Sequence, residues 1–196
     1  MERIVVGMAD CRVAAGPEVT LVTYALGSCI GLTIYDPAAQ VGGMLHFMLP
    51  DSAVDPARSR QNPYMFADTG IPLLLQSMGS LGASRQRLIV SAAGAAQILD
   101  DQGVFEIGKR NYLATRKLLW KYRLLIAYEA VGGKDFRTIS LETRTGRLVL
   151  HESGRPRDLT PVSGTLNPGR KEDSRGLPRP NSGRFTGNAY ICPASD

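Results

Sequence analysis

Alternating and continuous apolar runs along the chain predict a domain that mixes strands and helices. Short β-branched or alternating segments indicate strands at residues 19–24, 30–35, 44–49, 88–90, 124–129, 137–142 and 147–151. Apolar residues at helical spacing indicate helices at 64–81 and 111–120. Segment 51–63 is polar and predicts a surface loop, whereas 92–99 fits either a helix or a tight loop. We therefore expect a layered α/β sandwich with mixed or antiparallel sheets, flanked by about two to three helices.

The strands at 30–35 and 44–49 bring one cysteine and one histidine onto the same face of a predicted hairpin. Successive side chains of a strand alternate between faces, so burial of the apolar residues fixes the pairing. If the two apolar faces are aligned, the numbers of two residues that lie opposite each other in the hairpin must add up to an odd number, such as 75 or 77. Cys29 then lies directly opposite His46 for a sum of 75, or one step diagonal to it for a sum of 77.

A thiol beside an imidazole is the minimal arrangement for nucleophilic thiol catalysis. His46 can take the proton of Cys29, and the resulting ion pair would keep a thiolate at neutral pH. Gly27 and Ser28 leave backbone amides uncovered near the sulfur, where an oxyanion could be held. Thr23 is a candidate to orient His46, because its strand leads directly into the loop that carries Cys29.

Two glycines next to the histidine strand, Gly42 and Gly43, would keep its face open to an approaching substrate chain. The same residues also fit a purely structural interpretation. Free cysteine is among the most buried residue types, and a histidine in a strand is more often packed or hydrogen-bonded than catalytic. Residue types and strand parity leave both interpretations open.

Composition divides the chain into two regions. The net charge is +5, and residues 155–196 carry +3 of it together with six of the twelve prolines and few aliphatic residues. We predict a compact domain over residues 1–154, followed by a disordered Pro/Gly/Arg-rich tail over 155–196. The compact part is close to neutral, so its charge does not favour nucleic acid as a partner.

The remaining chemistry-bearing residues predict no second site. Cys11, Cys29 and Cys192 are odd in number and far apart, which favours free thiols in a reducing cytosol over a disulfide framework or zinc site. We expect His151 at the surface and Trp120 in the core. No signal peptide or membrane span of about 18 apolar residues is apparent, so we expect a cytoplasmic protein without membrane insertion.

The motifs around the cysteine and histidine resemble those of the CheD family, the chemoreceptor glutamine deamidases of bacterial and archaeal chemotaxis. The similarity is carried by TYALGSC at 23–29, YDP at 35–37, GGMLHFMLP at 42–50, ADTGI at 67–71, IGKRN at 107–111, and Gly132, Gly133, Arg137, Thr145 and Gly146 of the closing hairpin. It spans about residues 18–150. The chain departs from the family at 93–95, where it has Ala-Gly-Ala instead of the usual Gly-Gly-Ala.

The resemblance implies a reaction and a set of roles. The family converts particular glutamines of methyl-accepting chemotaxis receptors to glutamates and also hydrolyses receptor methyl esters. By this resemblance Cys29 is the nucleophile, His46 the general base and acid, and Thr23 the residue that orients His46. The expected substrate contacts are Gly27, Ser28, Gly42 and Gly43, where the glycines give clearance for a glutamine side chain and its receptor helix. No metal or cofactor is implied.

The expected partners are the cytoplasmic helices of the receptors and, as in many species, the phosphatase CheC, with the protein itself a monomer. Two other functions stay open. One is a binding module that docks receptors or CheC with little turnover. The other is a thiol hydrolase that acts on a glutamine of some other protein.

Overall fold

The computed structural model describes residues 2–16, 18–98 and 106–160, and the backbone of a short strand at 190–191. In chain order its strands are β1 (Glu2–Val5), β2 (Asp10–Ala15), β3 (Val19–Leu26), β4 (Ile30–Asp36), β5 (Val41–Phe47), β6 (Ile89–Gly94), β7 (Ile126–Val131), β8 (Arg137–Glu142), β9 (Leu148–Glu152), β10 (Arg155–Asp158) and β11 (Tyr190–Ile191). Its α-helices are α1 (Pro56–Gln61), α2 (Ala67–Ser80) and α3 (Ile107–Lys121).

The strands form two mixed sheets. The first sheet has the order β1-β3-β8-β9-β10, and the second has the order β11-β2-β5-β4-β6-β7. β1 pairs with β3 in parallel and β6 with β7 in parallel, whereas the other pairs are antiparallel.

The second sheet is the middle layer of the domain, and every residue of β4 and β5 is buried. Its helix-facing side packs against α2 through a core that includes Ile30, Leu32, Leu45, Ile71, Leu74 and Met78. Its other side packs against the first sheet through a core that includes Leu21, Leu26, Met44, Ile139, Leu141 and Leu150. The order of layers is therefore sheet, sheet, helices, which confirms the predicted α/β sandwich with few helices.

Most predicted elements are present with small shifts of their ends, and two segments differ. Segment 51–63 contains α1. In the described part of segment 92–99, β6 continues to Gly94 and residues 95–98 are not helical. The strands β1 and β2 lie in a segment where no strand was predicted.

Two side chains outside the hairpin test the predictions of burial. His151 is exposed, as expected. Trp120 is 74% exposed, so its prediction as a core residue is wrong. The buried side of α3 includes Asn111, Thr115 and Leu119 at four-residue spacing, and Trp120 lies about 140° around the helix from the middle of these three.

The expectation of free thiols holds for one described cysteine and is wrong for the other. Cys29 is free, whereas Cys11 is fully buried and disulfide-bonded. Cys192 lies outside the described residues.

The first sheet extends past the predicted domain boundary, because β10 follows Gly154 and pairs with β9. Beyond residue 160, the predicted tail lies outside the described residues, apart from 190–191. None of the helices in the described segments has the length and apolar character needed to cross a membrane.

Candidate active site

The hairpin of β4 and β5 has the second of the two predicted registers. Gly31 lies opposite His46, so paired residue numbers sum to 77. Cys29 immediately precedes β4 and is therefore one step diagonal to His46. Diagonal neighbours across an antiparallel pair are about 7–8 Å apart. The two residues thus lie on the face of the second sheet that packs against the first.

Thr23 reaches His46 from the other sheet. Its Oγ1 lies 2.8 Å from Nδ1 of His46, and both side chains are buried. When Nδ1 carries the ring proton, it donates to Thr23 Oγ1 and leaves Nε2 as the unprotonated nitrogen. Nε2 is buried and has no hydrogen-bond partner among the described residues. The hydrogen bond therefore holds the ring in one orientation, and Nε2 remains available to accept a proton.

Burial sets the charge of both reactive groups. Desolvation lowers the pKa of His46 to about 4, and the nearby carboxylate of Asp10 only partly offsets this. Desolvation also raises the pKa of the Cys29 thiol, and a hydrogen bond from its own backbone N–H lowers the pKa by a smaller amount. Burial therefore favours a neutral imidazole and a protonated thiol over the expected thiolate–imidazolium pair.

Asp10 is an acidic neighbour of His46 that the sequence did not reveal. It lies directly opposite His46 in the pairing of β2 with β5. Its carboxylate binds the Arg12 guanidinium at 3.1 Å and accepts the backbone N–H of Cys11 at 2.8 Å. Asp10 is thus a fixed negative charge on the side of the imidazole away from β4.

The loop that carries Cys29 has its carbonyl groups turned into the protein. The N–H groups of residues 95–96 donate to the carbonyls of Cys29 and Gly27, each at 2.8 Å. Asn111 Nδ2 donates to the carbonyl of Ser28 at 3.0 Å. In a trans peptide the C=O and the following N–H point in opposite directions. The amides of Ser28 and Cys29 therefore point away from these contacts, where they can stabilise an oxyanion.

Asn111 connects the two halves of the site. The same Nδ2 donates to the carbonyl of Met48 at 2.7 Å, just after β5, and the residue is fully buried on α3. One amide group thus ties the cysteine loop to the end of the histidine strand. The sequence contained Asn111 only as the last residue of the IGKRN motif, without a role.

Gly94 packs against the cysteine loop, and the sequence did not reveal this contact either. It has a φ of +113°, and a Cβ atom there would lie 2.1 Å from the carbonyl oxygen of Cys29. Only glycine permits this approach. Gly94 is the central residue of the Ala-Gly-Ala segment, so the chain keeps glycine at the position that touches the cysteine loop.

Gly42 and Gly43 are not brought to the surface around Cys29. A Cβ atom on Gly42 would meet Thr143 and Leu141 of the first-sheet side, and one on Gly43 would meet Leu74 and Met78 of α2. Both glycines let the layers pack closely, and this packing role replaces the predicted clearance for substrate.

Gly27 lies at the site, but its surroundings are not open. A Cβ atom on Gly27 would lie 3.1 Å from Ile98 and 3.2 Å from Phe136. Phe136 is 58% exposed, so its ring forms a wall beside the cysteine loop that faces solvent. Neither hydrophobic neighbour was among the predicted site residues.

Comparison with known proteins agrees with the motifs. A family model described as CheD chemotactic sensory transduction matches residues 48–152. A protein of Solibacter usitatus named "Probable chemoreceptor glutamine deamidase CheD" is 63% identical over 161 residues, which are 82% of this chain and 95% of that protein. Proteins with names of the same form from Syntrophus aciditrophicus and Anaeromyxobacter dehalogenans are 48% and 43% identical, covering 80% and 76% of this chain and 98% and 94% of their own.

The family model covers 105 of the 196 residues, and it begins two residues after His46. The three relatives extend the likeness to more than three quarters of the chain. On these matches, the chain belongs to the CheD family.

Proposed function

We propose that the protein is a chemoreceptor glutamine deamidase that hydrolyses side-chain amides of specific receptor glutamines to glutamate. The observation that carries the proposal is the hydrogen bond between Thr23 Oγ1 and His46 Nδ1. It leaves Nε2 available as a general base one step diagonal to the thiol of Cys29. The names of the relatives support receptor glutamine as the substrate.

The first half of the reaction forms a thioester. When substrate binds, Cys29 Sγ comes within hydrogen-bond reach of His46 Nε2, which takes the thiol proton. Sγ attacks the amide carbon, and the amides of Ser28 and Cys29 hold the resulting oxyanion. The His46 imidazolium then gives its proton to the amide nitrogen, the C–N bond breaks, and ammonia leaves.

The second half restores the enzyme. Neutral His46 takes a proton from water, and the hydroxide attacks the thioester carbon. The C–S bond breaks, the Cys29 sulfur recovers a proton from His46, and the receptor side chain leaves as a glutamate. Thr23 keeps the ring oriented through both proton transfers, and Asp10 stabilises the imidazolium that forms in each.

The test is a receptor cytoplasmic fragment incubated with enzyme and analysed by peptide mass spectrometry. We expect conversion of Gln to Glu by the wild type and none by Cys29→Ala or His46→Gln. His151→Gln is the matched control, because it removes the exposed histidine of β9 and should leave conversion unchanged. Identical mass profiles for wild type and Cys29→Ala, with a fragment that binds, would refute the enzyme.

Two observations favour a second candidate, a binding module with little turnover. His46 Nε2 accepts no hydrogen bond from the described residues, and burial raises the pKa of the Cys29 thiol. A module that docks receptors or CheC would bind the fragment equally well before and after Cys29→Ala. Binding without conversion in the experiment above would select this function.

We further propose that the protein acts in the cytoplasm, because the modified receptor helices are cytoplasmic, and that it is a monomer. CheC is the proposed regulatory partner where that phosphatase is present. Conversion of glutamine in an unrelated protein, but not in receptor fragments, would instead indicate a thiol hydrolase of different specificity. The division into a domain over 1–154 and a tail over 155–196 stays a prediction.

A further inference from the structure

Arg137 is a buried charged side chain that reaches from the first sheet to the second. It is the first residue of β8, lies opposite Leu26 at the end of β3 and is only 6% exposed. Leu26 directly precedes the cysteine loop. A guanidinium taken out of water is stable only where protein oxygens replace its hydration, so the partners of Arg137 indicate what its burial serves.

The guanidinium binds two carbonyl groups of the second sheet. Nη1 donates to the carbonyl of Gly94, the last residue of β6, at 3.1 Å and to that of Gly132, just after β7, at 2.6 Å. Nη2 lies 2.5 Å from Oε1 of Glu152, which is opposite Arg137 on β9. One side chain thus joins the first sheet to the ends of two strands of the second sheet.

The peptide group between Gly94 and Ala95 carries this contact to Cys29. Its carbonyl accepts the hydrogen bond from Arg137, and its N–H donates to the carbonyl of Cys29 at 2.8 Å. The C=O and N–H of a trans peptide point in opposite directions, so these groups form one continuous chain of hydrogen bonds. The charged donor polarises the peptide and strengthens its N–H as a donor. Arg137 therefore acts on Cys29 through a single intervening peptide group.

Tight packing transmits the position of this peptide group to the cysteine loop. A Cβ atom on Gly94 would lie 2.1 Å from the carbonyl oxygen of Cys29, so the two backbones are in direct contact. The next N–H group, that of Ala96, donates to the carbonyl of Gly27 at 2.8 Å. The backbone amides assigned to the oxyanion lie between the carbonyls of Gly27 and Cys29. A displacement of the peptide group would therefore move both ends of the cysteine loop and these amides with them.

We propose that Arg137 is a positioning residue of the deamidation, which fixes the peptide group after Gly94 and thereby the direction of the Cys29 thiol and of the oxyanion-binding amides. This inference rests on the proposed function. Packing alone would not require a charge here, because apolar residues of similar volume are often as stabilising as a buried ion pair. Arg137 Nε is moreover buried without a partner in the part of the chain that the structure describes, which a packing role does not explain.

The test compares substitutions of Arg137 by their effect on turnover. Arg137→Met removes the donors and keeps most of the stem. The kcat for the receptor fragment should fall about 10–100-fold at unchanged KM, because the reacting groups are misplaced while the substrate contacts remain. Arg137→Lys should recover part of kcat, since its ammonium can still donate to one carbonyl but cannot reproduce the fork to all three oxygens. If Arg137→Met does not fold, Arg137→Lys carries the test, with kcat at least about threefold below wild type.

The reactivity of Cys29 gives a second readout that needs no substrate. Without its anchor the cysteine loop opens toward solvent, and both access to the thiol and its ionisation become easier. Alkylation of Cys29 by iodoacetamide, followed by mass spectrometry of its peptide, should be at least about threefold faster in Arg137→Met than in wild type.

Arg87→Met is the matched control for a lost ion pair. The guanidinium of Arg87 donates to the buried carboxylate of Asp36 at 2.9 and 2.7 Å. Asp36 is the last residue of β4, seven residues after Cys29, which is roughly 23 Å along an extended strand. Arg87→Met should lower stability in urea and leave kcat and the alkylation rate of Cys29 unchanged.

The outcomes separate this inference from the proposed function. Wild type that converts the fragment, with an unchanged kcat in Arg137→Met or an equal fall of kcat in Arg87→Met, overturns the positioning role alone. Wild type that converts no glutamine overturns the proposed function. In that case faster alkylation confined to Arg137→Met retains the coupling of Arg137 to Cys29, whereas equal alkylation rates in all variants overturn it as well.

Discussion

Replacement of Asn111 by leucine should uncouple the two halves of the site. Leucine keeps the branching of asparagine but removes both N–H donors. The carbonyls of Ser28 and Met48 then lose their contacts at 3.0 and 2.7 Å. The cysteine loop and the end of β5 would remain in the fold, but the side-chain amide that joins them through α3 would be gone.

The size of the effect follows from the two lost hydrogen bonds. A buried acceptor left without a donor costs about 1–3 kcal/mol, and both carbonyls are only partly buried, so the lower half of that range applies to each. Asn111 Oδ1 is buried without a partner among the described residues. Its removal should stabilise the fold by about 1 kcal/mol and offset part of this loss. We expect a net loss of about 1–3 kcal/mol in the free energy of unfolding. A misplacement of about 1 Å would lower kcat up to roughly 100-fold.

Urea unfolding followed by far-UV circular dichroism and single-turnover deamidation of the receptor fragment measure the two effects. Thr115→Val is the control, because Thr115 is equally buried one turn further along α3 and its hydroxyl donates to the backbone carbonyl of Asn111 at 2.8 Å, not to the cysteine loop. It should lose at most about 1 kcal/mol and keep its activity. The reasoning is refuted if Asn111→Leu unfolds and reacts like wild type, or if Thr115→Val loses as much activity.

Three further predictions concern the other contacts of the site. His46 has a pKa of about 4 when folded and about 6.5 when unfolded, so the unfolded chain binds the proton first as pH falls. Stability should therefore drop by up to about 3 kcal/mol between pH 6.5 and 4, and a drop of the same size in His46→Gln would contradict this origin. Gly94→Ala should lose more stability and activity than Gly132→Ala, because both positions have a positive φ but only at Gly94 would the new Cβ atom lie 2.1 Å from a backbone oxygen; equal losses would argue against the clash. Thr23→Val should lower kcat by about 10–100-fold at unchanged KM, and Thr23→Ser should restore it; full activity in Thr23→Val would remove the orienting role.

The hairpin was predictable because its register follows from a local requirement. Ile30 and Leu32 in one strand and Leu45 in the other must share the buried face, and this parity allowed only sums such as 75 and 77. The choice of 77 depends on the turn and on the flanking strands β2 and β6, which hold the hairpin on both edges. No pattern within the hairpin contains that information.

The contact between Thr23 and His46 was not accessible to such reasoning, because the two residues lie in different sheets. Thr23 entered the prediction through its position before the cysteine loop and through the family resemblance. The structure brings its hydroxyl to the ring, whereas its role in the reaction stays a prediction.

Two of the unsuccessful predictions, on the glycines and on the charge state of the site, have a common physical cause, which is packing between the layers of the fold. Gly42 and Gly43 follow the sequence pattern of an open face, but the first sheet covers one and α2 covers the other. The neutral resting state of Cys29 and His46 also arises from burial between layers, which no local pattern encodes. Trp120 failed for the opposite reason, because nothing in the described structure covers that side of α3 as a neighbouring layer would.

The hydrogen bond between Thr23 and His46 joins the two sheets, and this makes catalytic competence a property of the whole domain. A peptide that contained only residues 24–50 would carry both the thiol and the imidazole, yet its ring would rotate without a partner. A folding intermediate with one sheet formed and the other undocked would be equally inactive. Recovery of deamidation during refolding should therefore follow the docking of the sheets, later than the formation of the hairpin itself.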